Sequence, residues 1–364
     1  MPTWNDNDAR SYKSKWPAWD DIRPWYNLHD WLNFHMVDVS RNKEALMKIV
    51  LIESLKVDEN LIKQLAQPLQ AAGHEFIYYP DRATDPGELY ERIKDAEIVM
   101  LANQPLPTEV VAQLDQTQLL NVAFTGVDHL PVQLAKEKSI QIANAAGYST
   151  TAVAELVIGL TLGLYRKIKE SDQDLRQGAQ YAGIPQGLEI NQKKVGIVGT
   201  GQIGSATARL FKAFGAEIIA YNRSHSQTLV DEIGLRYVSL DQLLQEADIV
   251  SLHLSLTEST RHLIGEREFN LMKETALLIN CARGPIVDSH ALVQALQDGK
   301  IAGAGLDVYD QEPPLADDAA ILSTPHTLLT PHIGYYTQEA MVQRAHIAFE
   351  NTLRFIQGQP QNLI

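Results

Sequence analysis

The sequence is poor in the features that mark several classes of protein. Its 364 residues include a single cysteine, Cys281, which excludes an internal disulfide framework and favours a reducing, cytosolic compartment. No apolar run reaches the ~18 residues that span a bilayer, and the start of the chain has no apolar segment typical of a secretory signal. CxxC and HExxH motifs are also missing, so we expect no metal site.

Basic residues are scarce as well. The chain has 31 lysines and arginines against 45 aspartates and glutamates, which gives a net charge of −14. Nucleic acids and anionic membranes are bound by basic surfaces, so neither is expected as a partner. What is present is the composition of a globular protein, 45% hydrophobic and 21% charged, with enough length for two domains.

The first 46 residues differ from the rest of the chain. They contain all five tryptophans and show no sustained period of 2 or 3.6 residues. We interpret residues 1–46 as a poorly ordered N-terminal extension, or as upstream sequence read through from an early start codon. The alternative is an aromatic docking arm. We favour the first interpretation because regular structure begins only at Met47, with the β-branched run MKIVLIES.

From Met47 onwards, strand-like runs alternate with helix-like ones in two successive series. This alternation predicts parallel sheets with helices on both faces, joined by right-handed crossovers. Residues 151–168 are apolar on nearly every side, which predicts a helix buried between two domains. The last helix, over 337–357, is too short to form a domain by itself. We therefore expect a first domain made of 47–150 and 325–364, with a second domain, 151–324, inserted into it.

A glycine-rich loop opens the second series, in KKVGIVGTGQIG. Gly199, Gly201 and Gly204 follow the order GxGxxG, between a β-branched strand over 195–198 and an amphipathic helix. In that context Gly199 permits a tight turn, Gly201 lets the backbone approach a pyrophosphate, and Gly204 lets the helix pack on the strand. A turn without a ligand is the alternative, which the context disfavours. The sequence thus predicts an α/β fold of two doubly wound parallel sheets, a Rossmann NAD(P)-binding domain inserted into a flavodoxin-like domain.

The segment AYNRSHS, 220–226, follows the second strand of the predicted cofactor domain. Such domains place an aspartate or glutamate there, which binds the ribose 2′-hydroxyl of NAD and repels the 2′-phosphate of NADP. Asn222 removes that repulsion and Arg223 offers a planar donor fork for phosphate. We therefore favour NADP(H), with NAD(H) also possible. In the alternative, Arg223 points into solvent and the Asn222 amide binds the hydroxyl of NAD.

Polar residues follow the ends of three later strands. Arg283 lies in LINCARGPIVD, Asp307 and Glu312 lie in GLDVYDQEPP, and His332 lies in LLTPHIG. Taken singly, each has an ordinary interpretation as a surface charge, a loop acid or a loop histidine. Because the carboxyl ends of parallel strands line the ligand crevice, we expect them to face the cofactor together.

As a set, these residues suit hydride transfer between a nicotinamide and a 2-keto acid. An arginine holds the carboxylate with a bidentate fork and polarises the carbonyl group. A histidine, with an unperturbed pKa of ~6.5, protonates the developing alkoxide. A neighbouring carboxylate keeps such a histidine protonated.

The motifs GTGQIG, NCARGPIVD, AGLDVYDQEPP and TPHIG resemble, in this order and spacing, those of the D-2-hydroxyacid dehydrogenases. The resemblance covers roughly 47–364. LANQPLP, AFTGVDHL and NAAGYSTTAVAE look like the hydroxypyruvate reductase and glycerate dehydrogenase branch. Formate dehydrogenases, which are similar in fold, have glutamine in place of Glu312, so that branch is disfavoured.

The resemblance implies specific roles for the strand-end residues. Arg283 corresponds to the substrate-binding arginine, His332 to the acid/base and Glu312 to its carboxylate partner. Asp307 corresponds to the residue that holds the nicotinamide carboxamide. The first domain is thereby the substrate, or catalytic, domain, and a homodimer joined through the cofactor domain is expected.

The resemblance also assigns a role to the FTGVDH segment. Backbone N–H groups of Thr125 and Gly126 are expected to bind the substrate carboxylate, with Thr125 also near the cofactor. The other expected cofactor contacts are Gln202, Ile203 and Cys281. Departures occur at Tyr335 and Tyr336, where small residues are common in the family, and at Leu254, where a threonine is common.

Two classes of function agree with these observations. The first is an enzyme that reduces hydroxypyruvate, glyoxylate or a similar small 2-keto acid to the D-2-hydroxy acid. The second is a dinucleotide-sensing binding protein, corepressor-like and without turnover. The set of Arg283, Glu312 and His332 favours the enzyme, with a small 2-keto or 2-hydroxy acid as its molecular partner.

Overall fold

The computed structural model describes residues 46–178, 186–311, 315–316 and 319–364. The extension expected over 1–46 therefore lies outside the described residues except for Leu46. The described chain forms two parallel sheets, of five and seven strands, with helices packed against them. The α/β fold with two parallel sheets that the alternation predicts is confirmed.

The first sheet begins at Lys48 and has the strand order β2-β1-β3-β4-β5. This is the order of a flavodoxin-like sheet, with its switch point between β1 and β3. β3 and β4 are buried along their whole length, as expected of central parallel strands covered on both faces. The strands are β1 Lys48–Leu51, β2 Glu75–Tyr78, β3 Ile98–Leu101, β4 Leu119–Val122 and β5 Gln141–Asn144.

Two of the four helices between these strands start at residues whose side chains satisfy free backbone donors. The Asp58 carboxylate accepts from the amide of Asn60, and the Asp85 carboxylate accepts from two amides in the first turn after Pro86. Both patterns are favourable helix starts, because the first amides of a helix lack partners within it. The helices are Glu59–Ala71, Pro86–Ile93, Thr108–Ala112 and Val132–Glu137.

The second sheet has the order β12-β11-β10-β9-β6-β7-β8. If β6 to β12 are numbered 1 to 7, the order from the β8 edge is 3-2-1-4-5-6-7. This is the dinucleotide-binding order 3-2-1-4-5-6 with one added strand. The strands are β6 Lys194–Val198, β7 Glu217–Tyr221, β8 Arg236–Tyr237, β9 Ile249–Leu252, β10 Leu277–Asn280, β11 Gly303–Leu306 and β12 Thr327–Leu329. The helices are Gln202–Ala213, Gln227–Ile233, Leu240–Glu246, Glu266–Leu271, Ser289–Gln297 and Ala320–Ser323, with a 3-10 turn at Gly284–Ile286.

A long apolar helix, Thr150–Tyr165, connects the two sheets. Most of its residues are buried, as the apolar sequence predicts, and Gly163 lies tightly against the Leu328 side chain. The helix ends earlier than the expected 168. The backbone turns at Lys167, which has a left-handed φ of 50°, and a second helix follows at Ile168–Arg176.

The C-terminal helix, Gln338–Ile356, packs back onto the first sheet as expected. The Asn121 amide of β4 donates to the Ala348 carbonyl at 2.6 Å, and the rings of Phe76 and Phe349 are 5.6 Å apart. Strand β12, by contrast, pairs with β11 in the second sheet. The expected boundary between residues 324 and 325 falls just before this strand. Because β12 pairs with β11, a boundary after β12 would keep the second sheet intact. The division into two domains stays a prediction.

Candidate active site

The glycine loop between β6 and the helix Gln202–Ala213 is shaped by close backbone approaches. Gly199 has a φ of 101°, and a Cβ there would lie 2.8 Å from the His253 carbonyl oxygen. A Cβ on Gly204 would collide with the Gly199 carbonyl oxygen. Gly201, by contrast, faces open space, because a Cβ there would meet no atom within 4 Å. The loop is therefore closed towards the protein and open at Gly201, which fits the approach of a pyrophosphate to a helix N-terminus.

The loop after β7 is ordered by Tyr237 and Asn222. The Tyr237 hydroxyl accepts from the Ser226 amide at 3.0 Å, and its ring stacks on His225 with centroids 4.1 Å apart. The Asn222 side-chain amide donates to the Ser224 carbonyl at 2.7 Å. The N–H groups of the Asn222 side chain therefore stabilise the turn 222–224. Arg223 is exposed and forms no ion pair with the described residues.

His253 lies beside the glycine loop, and sequence reasoning gave it no role. Its Nε2 is 2.8 Å from the Ser251 hydroxyl, and its Cβ faces Gly204. Burial lowers the pKa of His253 to about 3, so the ring is neutral at physiological pH. A neutral ring adds no charge beneath the anion site and fills the space behind the loop.

Arg283 is held at the end of β10 by its own neighbours. The buried Asn280 side chain accepts from the Ala282 amide and donates to the Arg283 carbonyl, each at 3.0 Å. Arg283 Nη1 donates to the Ala282 carbonyl at 2.8 Å. The other guanidinium nitrogens reach the first sheet, where Nη2 occupies the space that a Cβ on Gly126 would need.

Asp128 is the ionic partner of Arg283, and sequence reasoning missed it. Its Oδ2 accepts from both Nε and Nη2 of Arg283, each at 3.3 Å. Asp128 follows β4 and Arg283 follows β10, so this ion pair joins the edges of the two sheets. The one available signal was the acid in FTGVDH, the segment expected to bind an anion.

His332 lies in a loop that the Asp307 carboxylate organises. Asp307 is 1% exposed. Its oxygens accept from the Thr330 hydroxyl at 2.6 Å and from the amides of Ile333 and Gly334 at 2.8 and 2.7 Å. These bonds flank His332, whose φ of 55° lies in the left-handed region that non-glycine residues rarely adopt. Asp307 therefore fixes the histidine loop, a role that the sequence did not indicate.

Asp307 retains capacity for the expected contact with a nicotinamide carboxamide. A carboxylate has about four acceptor positions, and hydrogen bonds from the described residues use three of them. Cys281 lies nearby at the end of β10. Burial, with a further contribution from the Asp307 charge, raises the pKa of its thiol. The carboxamide contact stays a prediction.

Aromatic rings connect the histidine loop with the loop that meets Arg283. The His332 ring stands edge-on to Tyr335 at 5.4 Å, and Tyr335 stands edge-on to Phe124 at 4.8 Å. Tyr148 lies 5.8 Å from Phe124. Behind them, the Arg344 guanidinium lies 5.0 Å over the Phe124 ring. Phe124 directly precedes the Thr125–Gly126 segment, so Arg283 contacts this loop directly and His332 is linked to it through Tyr335.

Other expected site residues have diverse positions. Thr125 is exposed, and its carbonyl accepts from Asn144 at 2.8 Å. Gln202 begins the glycine-loop helix, and its side-chain oxygen faces Gly147 at the other sheet's edge. Ile203 is partly buried in the first turn. Glu312 lies outside the described residues, and its partnership with His332 stays a prediction.

The described residues contain neither a membrane-spanning helix nor a metal-ligand cluster. No helix among them is long and apolar enough to cross a membrane. No group of three or more histidine, cysteine, aspartate or glutamate side chains in the same part of the chain is arranged to hold a metal ion.

Sequence comparison identifies related proteins over most of the chain. Residues 158–334 match the family described as D-isomer specific 2-hydroxyacid dehydrogenase, NAD binding domain. A glyoxylate reductase of Thermococcus litoralis is 34% identical over 87% of this chain and 97% of its own length. A hydroxypyruvate reductase of Blautia hydrogenotrophica is 32% identical over 87% of this chain and 99% of its own.

Solved structures give the same picture. An acyclic imino acid reductase in complex with NADPH and D-Arg superposes with a TM-score of 0.79, at 28% identity, over 87% of this chain and 100% of that one. A D-lactate dehydrogenase from Aquifex aeolicus, complexed with NAD and lactic acid, superposes with a TM-score of 0.74, at 30% identity, over 85% and 96%.

Proposed function

The chain belongs to the D-isomer-specific 2-hydroxyacid dehydrogenase family, and we propose that it reduces small 2-keto acids such as glyoxylate and hydroxypyruvate. It is an NAD(P)-dependent oxidoreductase of D-2-hydroxy acids. The observation that carries the proposal is that Arg283 contacts the loop 124–126 of the other sheet, to which His332 is linked through the ring of Tyr335.

Arg283 and the 124–126 loop would bind the carboxylate of the keto acid. The guanidinium lies against the Gly126 backbone, so one anion can contact both the fork and the nearby amides. A bidentate grip fixes the carboxylate and directs the neighbouring carbonyl group. In this arrangement Arg283 orients the substrate and polarises its carbonyl oxygen.

His332 would donate the proton that completes the reduction. A reduced nicotinamide, when bound beside the glycine loop, supplies the hydride to the carbonyl carbon. His332 protonates the resulting alkoxide oxygen, and in the reverse direction accepts that proton. The bonds from Asp307 hold the histidine loop in place, and Glu312 is proposed as the carboxylate that favours the protonated ring.

NADP(H) is the proposed cofactor, with NAD(H) also accepted. Three features of the loop after β7 support this preference. Asn222 carries no charge to repel a 2′-phosphate, its donors hold the turn, and Arg223 is exposed beside it. The guanidinium fork suits a phosphate group and has little to bind on a ribose hydroxyl.

The activity is tested by mixing the purified full chain with NADPH or NADH and a panel of 2-keto acids. Oxidation of the cofactor is expected with glyoxylate and hydroxypyruvate, with a D-configured product from hydroxypyruvate. If the protein binds the cofactor tightly but oxidises it with none of the acids, the function is dinucleotide sensing without turnover.

A homodimer is proposed as the assembly, joined through the cofactor domain. The helix Ile168–Arg176 supports it, because none of its residues is buried while Ile168 and Leu175 are 56% and 73% exposed. Light scattering on the wild type and on Leu175→Glu tests the assembly. A dimer that the substitution weakens is expected, whereas a monomeric wild type would contradict the proposal.

A further inference from the structure

We propose that Asp128 is an internal competitor for the keto acid, because its carboxylate binds the Arg283 fork that the substrate carboxylate must take. Substrate binding is then an exchange in which one carboxylate replaces another. The inference rests on the proposed function, since it concerns the affinity of the same site.

The geometry shows which part of Arg283 is occupied. Both Nε and Nη2 donate to the single Oδ2 atom of Asp128 at 3.3 Å. These two nitrogens form one of the edges with which a guanidinium grips a carboxylate in bidentate fashion. Because that edge is already filled, an incoming carboxylate has to displace Asp128 to use it.

Arg283 does not need Asp128 to hold its position. Nη1 is anchored on the Ala282 carbonyl at 2.8 Å, and Asn280 fixes the backbone on both sides. The bonds to Asp128 are longer and converge on one oxygen, so they add charge compensation more than direction. Removing the Asp128 charge should therefore leave the fork in place and available.

The exchange is possible because the pair is partly solvated. The Asp128 side chain is 64% exposed and that of Arg283 is 34% exposed. Ion pairs of this exposure contribute little, so the penalty for displacing Asp128 corresponds to at most about a fivefold loss of substrate affinity. The released carboxylate can turn into water, and Arg283 keeps a counter-ion when no substrate is bound.

Asp128→Asn tests the inference, with the Michaelis constant and turnover number measured separately. The substitution keeps the shape and removes the charge. We expect the KM for glyoxylate and the inhibition constant of oxamate, an unreactive keto-acid analogue, to fall about two- to fivefold, with kcat unchanged. Asp128→Glu, which restores the carboxylate, should return both constants towards the wild-type values.

Asp115→Asn is the matched control. Asp115 precedes β4, and its side chain is 84% exposed. Its Oδ1 lies 3.3 Å from Nζ of Lys138, the same separation as in the Asp128–Arg283 pair, but its partner is not Arg283. Its replacement should move neither constant. A general change in surface charge would lower the constants in both variants, whereas competition at the fork lowers them only at Asp128.

A raised KM or a reduced kcat in Asp128→Asn would overturn the inference, since either result would mean that Asp128 positions Arg283. Unchanged constants in an active protein would overturn it as well. If Asp128→Asn has a lower melting temperature than the wild type, the same constants are measured on Asp128→Ser, and the same outcomes support or overturn the inference. Failure of the proposed function appears differently, as a wild-type protein that reduces no keto acid with either cofactor.

Discussion

At the glycine loop after β6 one edge of the site is built from backbone, whereas the other edge, where later strand ends of the seven-stranded sheet meet the loop after β4, is built from side chains. Gly199, Gly201 and Gly204 shape the first edge by leaving space or by excluding a Cβ atom. The second edge presents Asp128 and the ring of Phe124 to residues that arrive from the other sheet. The proposed cofactor side therefore depends on conformation, and the proposed substrate side depends on charge and shape.

The largest expected effect concerns His332, the residue proposed to donate the proton. His332→Ala should lower kcat with a keto acid by ~10²–10⁴-fold, the usual contribution of a general acid, while NADPH affinity stays within about twofold. Steady-state kinetics and a cofactor titration measure the two quantities. His326→Ala is a suitable control, because His326 is exposed and has a similar left-handed φ of 59°. Turnover near wild type in His332→Ala would reject the assignment.

A second prediction separates the two kinds of glycine in the backbone-built edge. In Gly204→Ala the new Cβ collides with the Gly199 carbonyl, so we expect a loss of about 1–3 kcal/mol in stability together with weaker NADPH binding. In Gly201→Ala the Cβ meets no protein atom within 4 Å. That protein should melt normally and bind NADPH about tenfold more weakly.

Thermal melts and NADPH titrations on the two variants distinguish a role in folding from a role in cofactor binding. Equal losses of stability in both would show that the space at Gly201 serves folding and not a ligand. Unchanged NADPH affinity in Gly201→Ala would remove the pyrophosphate from this position.

The smallest effect is expected at the exposed loop after β7. Arg223→Ala should reduce the preference for NADPH over NADH, taken as the ratio of kcat/KM values, by about two- to fivefold, because exposed charges interact weakly. Arg209→Ala serves as the control, since Arg209 is similarly accessible but pairs with Glu232. A wild type that prefers NADH, or a ratio that Arg223→Ala does not change, would make this segment an ordinary loop.

Residues 2–46 provide the comparison with no expected effect. They precede β1, which starts at Lys48, so their deletion should leave melting temperature and kcat/KM nearly unchanged. An insoluble or inactive truncated protein would show instead that the tryptophan-rich segment docks onto the folded chain.

The backbone-built edge could be predicted from the sequence in detail. The spacing of the three glycines is dictated by one local turn, so a short stretch of sequence carries the whole constraint. The apolar strands and the buried helix at Thr150–Tyr165 were predictable for a similar reason, because their patterns are periodic and local. Segment ends were less accurate, since the turn at Lys167 depends on its tertiary surroundings.

The side-chain-built edge could be predicted only in part. Arg283 and His332 are recognisable because they follow strands, but their partners are distant in sequence. Asp128 precedes Arg283 by 155 residues, and Asp307 bonds an amide 26 residues later. Sequence spacing gives no information on contacts of this kind, which arise when separate strand ends meet.

Arg283→Lys gives the most direct test of the division between a cofactor edge and a substrate edge. Lysine keeps the charge but cannot form the bidentate grip. NADPH affinity and kcat/KM for glyoxylate should be measured on the same preparation. We expect unchanged NADPH affinity, with kcat/KM reduced at least about tenfold through the loss of one charged hydrogen bond. A similar loss in both quantities would contradict it, because Arg283 would then support the site as a whole.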